Sequence, residues 1–173
     1  MLLITGPKTI LKLIEMKQLD QLYRWINDRE LRRLSSFYDP ITKENHKKWL
    51  SAMIASKHNR VFGVFTKNKQ LIGTTGLYDI HWINKNSELR IRIGDRKFLG
   101  KGYGTEAVHL ILDFAFNDLG LHRVWLTVFN DNLPAIAVYK KCGFKIEGHL
   151  KDGGFIDGKW VNLILMAKIN PND

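Results

Sequence analysis

Between residues 18 and 34, Leu19, Leu22, Trp25 and Ile26 recur at helical spacing, which predicts a first helix, and Asp39-Pro40 breaks that pattern. Trp49, Leu50, Met53 and Ile54 form the inner stripe of a second helix over 43–55. A short β-prone segment, 9–15, precedes both. Three β-like runs follow at 60–66, 71–82 and 87–93, with turns at Lys67-Asn68-Lys69-Gln70 and Asn84-Lys85-Asn86. Their spacing predicts an antiparallel meander.

After Gly102 the period lengthens again. Ala107, Val108, Ile111, Leu112, Ala115, Phe116 and Leu119 mark the strongest helix of the chain, 103–118, which Gly120 ends. The run 124–129 alternates as a strand, Pro134 opens a helix reaching Lys141, and Gly143 stops it. Two last strands, 144–150 and 160–168, flank a turn region at Gly153-Gly154 and Asp157-Gly158. The order is strand, two helices, three strands, helix, strand, helix, two strands. This predicts a mixed α/β sheet, with parallel pairing only where a helix links two strands.

Composition narrows the class. A chain of 173 residues, 45% apolar and 25% charged, suits a single globular domain over 1–173 with a real core. The one cysteine, Cys142, excludes an internal disulfide and any multi-cysteine zinc site, so the expected location is cytoplasmic. No apolar run is long enough to span a membrane, and Met1-Leu2-Leu3-Ile4 lacks the basic flank of a signal peptide. The histidines show no ligand spacing, so no metal is expected. The net charge of +10 calls for an anionic partner: nucleic acid, a membrane surface or a phosphate-bearing small molecule.

The segment Leu99-Gly100-Lys101-Gly102-Tyr103-Gly104-Thr105 lies between a strand and the strongest helix. Its glycines leave backbone amides bare, and the helix adds its own unpaired N–H groups and dipole, so the segment either binds an anion or is a flexible turn. It contains no Walker string, and it does not follow the first strand of a βαβ unit as a dinucleotide loop would.

Here the sequence resembles the Gcn5-related N-acetyltransferase (GNAT) superfamily, over nearly its whole length. Gly102-Tyr103-Gly104 matches the last positions of the family's Arg/Gln-x-x-Gly-x-Gly/Ala loop, with Leu99 at the Arg/Gln position. Asn132, Ala135, Tyr139, Gly143 and Phe144 complete the family's Asn-x-x-Ala-x-x-x-Tyr-x-x-x-Gly-Phe signature. The stretches 88–93, 25–28 and 148–151 look most like the RimJ/RimL ribosomal-protein acetyltransferases and their spermidine and aminosugar relatives. The resemblance implies a mostly antiparallel sheet of about seven strands flanked by about four helices. Its fourth and fifth strands, here 88–93 and 124–129, splay apart and hold the pantetheine arm.

The implied activity is direct transfer of the acetyl group of acetyl-CoA to a primary amine, with no metal and no covalent enzyme intermediate. In that frame Gly100, Lys101, Gly102, Tyr103, Gly104 and Thr105, with Leu99, hold the cofactor's diphosphate through main-chain amides. Ile91, Arg92 and Ile93 line the arm and supply the oxyanion donor, and Asn132 and Ala135 anchor it, although Asn132 could equally cap its helix. Tyr139 is the general acid for the departing thiolate, or else an aromatic packed under its helix. Glu88 is the first candidate base, set against a plain ion pair with Arg90 or Arg92, and His81 is a weaker candidate. Trp25, Phe37 and Tyr78 fall where relatives rim the acceptor. Cys142 sits at a helix end with no histidine near in sequence, so a nucleophilic role is rejected.

The positive charge disfavours a polyamine unless acidic residues such as Glu44, Asp79, Glu88 and Asp157 gather locally. The expected acceptor is therefore a peptide or ribosomal-protein α-amine, the alternatives being a nucleotide-linked aminosugar or a polyamine. The other-class alternative is a degenerate domain that binds CoA or nucleic acid without catalysis, for which the cations from Arg29 to Lys57 would be the footprint. A homodimer through a strand such as 160–168 is conceivable from the family's habits.

Overall fold

The computed structural model of the chain describes residues 2–33 and 39–173. The strands are β1 (Leu3–Thr5), β2 (Thr9–Leu13), β3 (Arg60–Thr66), β4 (Leu71–His81), β5 (Asn86–Ile93), β6 (Arg123–Phe129), β7 (Lys145–Ile156) and β8 (Lys159–Ile169). The helices are α1 (Leu19–Asn27), α2 (Arg29–Arg33), α3 (Lys43–Ala55), α4 (Tyr103–Asp113) and α5 (Leu133–Lys141). The strands form one 8-stranded sheet in the order β1-β2-β3-β4-β5-β6-β8-β7. Only β5 and β6 run parallel, as their joining helix α4 requires.

Ala107, Val108, Ile111 and Leu112 of α4 press onto one sheet face, where Phe62 meets Phe114 edge to face at a centroid distance of 5.5 Å. On the opposite face α1 and α3 bury Leu22 and Leu50 against Val61, Leu71 and Tyr78. The sheet thus carries a core on each side.

Several elements differ from the sequence expectation, each for a tertiary reason. The leading apolar run is a sheet strand: β1 pairs with β2 from Leu3–Lys12 to Thr5–Ile10. The first expected helix is broken at Asp28, whose extended backbone ends α1 and whose carboxylate Oδ1 accepts the N–H groups of Glu30 and Leu31 at 3.0 Å. The expected helix over 103–118 closes with a π-helical turn, Phe114–Asp118. Gly153 and Gly154 lie inside β7, where a bulge between Leu150 and Gly154 keeps the strand paired to Val161, so only Asp157-Gly158 makes the turn. β8 lies between β6 and β7, so the sheet edge on this side belongs to β7.

Asp28 also receives Arg96 Nη2 at 2.9 Å, and Arg96 Nη1 meets Glu30 at 2.6 Å, so the α1–α2 corner is tied to the turn after β5. Asp28→Ala is expected to lower stability by about 1–2 kcal/mol in urea melts, chiefly by loss of the cap. The N–H of Leu31 holds the Asp28 carboxyl below its ordinary value; partial burial opposes this, and Arg96 and the Glu30 N–H add to it. A depressed folded value means the stabilisation is present above the ordinary value of 3.8 and is lost as pH falls through the folded one. The gap between wild type and variant should therefore be full at neutral pH and close in acid.

Candidate active site

β5 and β6 pair at only three positions: Asn86–Arg123, Ser87–Val124 and Glu88–Trp125. Beyond Glu88, β5 stays bound to β4 through Ile91–Thr75, Arg92–Thr74 and Ile93–Gly73, while β6 turns away to pair with β8 as far as Phe129–Leu163. The strands therefore splay, and every second N–H of the 89–93 stretch faces a gap with no strand opposite. Gly73 allows this geometry, since a Cβ there would lie 2.3 Å from the Arg92 carbonyl oxygen.

The glycine loop crosses the mouth of the gap. Gly100 and Gly102 adopt left-handed backbone, with φ of 69° and 85°. The first bond inside α4 runs from Glu106 N–H to the Gly102 carbonyl, which leaves the N–H groups of Tyr103, Gly104 and Thr105 ahead of the helical ladder. Gly102, as N-cap, offers no side chain to cover them. A Cβ at Gly100 would meet nothing within 4 Å and one at Gly104 only Ile93, so the backbone surface is open to a ligand. A diphosphate fits this cradle of bare amides at a helix N-terminus.

α5 brings the second signature to the same place. Cys142 Sγ lies 3.7 Å from the Thr105 carbonyl oxygen, which sets the end of α5 beside the first turn of α4. Tyr139, one turn earlier, is 8% exposed and packs edge-on against Phe144 at 5.8 Å. Burial, with Cys142 nearby, raises its phenol well above the ordinary value, and no hydrogen-bond partner engages its hydroxyl among the described residues. Asn132 caps α5, its Oδ1 accepting Ala135 N–H at 3.3 Å, and its amide nitrogen remains a donor. Cys142 is buried, and that burial raises its thiol despite Lys168 and Lys141.

β5 alternates: Leu89, Ile91 and Ile93 face the α4 core, whereas Glu88, Arg90 and Arg92 face the α1–α3 side. There Glu88 Oε2 accepts Arg90 Nη2 at 2.6 Å, and the Arg90 guanidinium stands 4.7 Å from the Tyr78 ring centroid. Tyr78 is buried, which pushes its phenol up to about 12. Trp25 lies flat on Gly94, where a Cβ would come within 2.1 Å of the indole. No carboxylate among the described residues pairs with Arg92, and neighbouring His46 is 4% exposed with its Nε2 lacking a hydrogen-bond partner. Burial first, then Arg92, lowers the His46 pKa.

Other expected residues stand elsewhere. His81 is exposed at the end of β4, and its Nδ1 accepts the Asn84 N–H at 3.0 Å, which commits the ring to the β4–β5 turn. Phe37 lies outside the described residues. The four acidic residues do not form one cluster: Glu44 pairs with Lys48 and Asp157 with Arg33, whereas Glu88 and Asp79 both act on Arg90. Sequence reasoning did not bring Arg92 and His46 together on the α1–α3 side; strand alternation in β5 carried a signal for the first, and none marked the second.

A family profile described as an acetyltransferase (GNAT) domain matches residues 8–145. The chain is 37% identical over 101 residues to a spermidine N(1)-acetyltransferase of Vibrio cholerae, covering 58% of each chain. It is 37% identical to the probable N-acetyltransferase YjcK of Bacillus subtilis, over 65% of this chain and 62% of that one. These matches thus span less than two thirds of either relative's own length. The crystal structure of the Vibrio cholerae spermidine N-acetyltransferase in complex with CoA and spermine superimposes with a TM-score of 0.90 at 27% identity, covering 95% of this chain and 97% of that one. No helix among the described residues is long and apolar enough to cross a membrane. With a profile running from the start of β2 to the start of β7 and a backbone overlaid almost end to end by a solved relative, the chain belongs to the GNAT acetyltransferase family.

Proposed function

We propose that this protein transfers the acetyl group of acetyl-CoA directly to a primary amine of a small molecule. The observation that carries the reading is the splay after Glu88, with the bare amides of Tyr103–Thr105 beside its Ile93 end and α5, which carries Tyr139, packed next to them. Bound acetyl-CoA supplies the acyl group as a thioester, whose carbon–sulfur bond breaks as the amide bond forms and whose sulfur takes up a proton. Tyr139 holds that proton: its raised phenol stays protonated at neutral pH and above, and its hydroxyl is free to donate. Unpaired N–H groups of the 89–93 stretch stabilise the developing oxyanion. An alkylammonium must first lose a proton, and Glu88 is the carboxylate at the head of the gap. Its bond to Arg90 means that this role requires Arg90 to yield or a water to relay.

The acceptor class supported by the relatives is a polyamine, since the Vibrio cholerae enzymes bear spermidine in their names. This moves the reading from a ribosomal-protein α-amine to a small amine. A second reading rests on one observation: Arg92 faces the acceptor side with no carboxylate beside it, which favours an amine that carries a negative group, as a nucleotide-linked aminosugar does. Thermal stabilisation separates all of these from a nucleic-acid-binding domain, and thiol release that depends on an added amine separates them from a domain that binds CoA without catalysis. CoA should raise the melting temperature and an oligonucleotide should not; the reverse result removes the enzyme reading. Among acceptors, Arg92→Leu should raise KM for an anionic amine about tenfold and leave that for spermidine unchanged if the second reading holds. Equal effects on both amines would remove it.

A further inference from the structure

The fold brings a cation from a distant part of the chain, Lys8, to the glycine loop. Gly6-Pro7-Lys8 is the turn between β1 and β2, closed by a bond from Gly6 N–H to the Thr9 carbonyl at 2.9 Å. Glu106, in the first turn of α4, reaches across to that turn. Its Oε1 accepts Lys8 N–H at 2.7 Å, Thr9 N–H at 3.0 Å and the Thr9 hydroxyl at 3.0 Å. A Cβ at Gly6 would lie 2.3 Å from that same oxygen, so a larger residue would displace a carboxylate held by three donors. Partial burial works against the charge on Glu106, and the Lys8 and Thr9 groups outweigh it, keeping the carboxyl below its ordinary value.

The turn is thus fastened to the N-terminus of α4, and the Lys8 side chain is carried onto the loop. Its Nζ lies 3.4 Å from the Lys101 carbonyl oxygen and 3.6 Å from where a Gly102 Cβ would stand. No carboxylate comes within ion-pair distance of it among the described residues, and the ammonium's hydrogen bond there is a long one to a carbonyl. A cation held at the left-handed glycine of an amide cradle, with no carboxylate in ion-pair contact, has the chemistry of a phosphate ligand.

We propose that Lys8 contacts a phosphate of coenzyme A, held against the Gly102 loop by the attachment of its backbone to Glu106. The proposal rests on the reading that this loop holds the cofactor. Both phosphate sources, the diphosphate and the 3′-phosphate, lie on the nucleotide end of the cofactor and neither on pantetheine.

The test is titration calorimetry of the full chain with CoA, 3′-dephospho-CoA and pantetheine, for wild type, Lys8→Met and Lys8→Arg. Lys8→Met should weaken CoA about fivefold to tenfold, flatten the salt dependence of its binding and leave pantetheine unchanged, and Lys8→Arg should restore most of the loss. An equal loss for CoA and 3′-dephospho-CoA assigns the contact to the diphosphate; a loss for CoA alone assigns it to the 3′-phosphate. Lys8→Met binding CoA within twofold of wild type, or losing pantetheine to the same degree, overturns the proposal. A wild type that binds no CoA overturns instead the reading of the loop on which it rests.

Discussion

Tyr139→Phe is expected to lower kcat for acetyl transfer about a hundredfold or more, with KM for acetyl-CoA changed no more than about twofold. The ring contact with Phe144 survives the substitution, so the loss reports the hydroxyl and not the packing. Burial keeps the wild-type phenol protonated well into the alkaline range, so the kcat profile should show no fall from Tyr139 below about pH 10. Replacing the acyl donor with the acetyl ester of a more acidic thiol should recover part of the variant's rate, because that leaving group needs its proton less. A kcat within about threefold of wild type would return Tyr139 to a packing role.

Gly102→Val should weaken CoA binding by about tenfold to thirtyfold, measured by calorimetry. At φ 85° a β-branched residue costs about 1–2 kcal/mol. The loop must then either carry that strain or relax and lose the alignment of the Tyr103, Gly104 and Thr105 amides. Gly104→Ala provides the contrast. Its Cβ would meet only Ile93 Cγ1 at 3.7 Å, an ordinary contact, and alanine favours the helix, so binding should stay near wild type and the melting temperature should not fall. Similar losses in both variants would mean that small size alone, and not left-handed backbone at Gly102, is what the loop requires.

The parts of the site that were legible in the sequence are those written in short strings. Gly102 and Gly104 precede the strongest apolar stripe of the chain, and the Asn132–Phe144 signature fits one helix turn by turn, so local pattern places both. Strand alternation likewise put Glu88 and Leu89 on opposite faces of β5. What escaped depends on contacts distant in sequence. Lys8 stands at the loop because Glu106, 98 residues away, binds its backbone. His81 belongs to a turn because Asn84 uses its ring, and Glu88 is committed to Arg90, an alternative that the sequence raised and left open.

The fold divides in the same way. The periodic runs of β3, β4 and α4 stand where hydrophobic spacing put them, and α3 has its expected span, but Trp49 and Ile54 of its expected inner stripe are exposed while His46 and Leu50 are buried. The break at Asp28 escaped because Leu22, Ile26 and Leu31 stay buried through it, so the apolar pattern carries no mark of the cap between them. β7 runs past Gly153 and Gly154 because β8 offers it partners as far as Lys159, which glycine content alone argues against. The strand over 160–168, considered for self-association, has no free edge, and β7 holds the edge in its place. Ile146, Leu150 and Phe155 are exposed along it, whereas β8 is paired on both sides.

The most direct test of direct acetyl transfer to a small amine is a single acceptor panel with acetyl-CoA. Release of the CoA thiol and the mass of each amine are followed together, with spermidine, a nucleotide-linked aminosugar, free amino acids and an N-terminal peptide as acceptors. Thiol release that depends on a small amine and matches its acetylation one for one is the predicted result, with Cys142→Ser turning over like wild type. Thiol release that ignores every small amine, acetylation confined to the peptide, or an acetylated Cys142 on the path to product would contradict it.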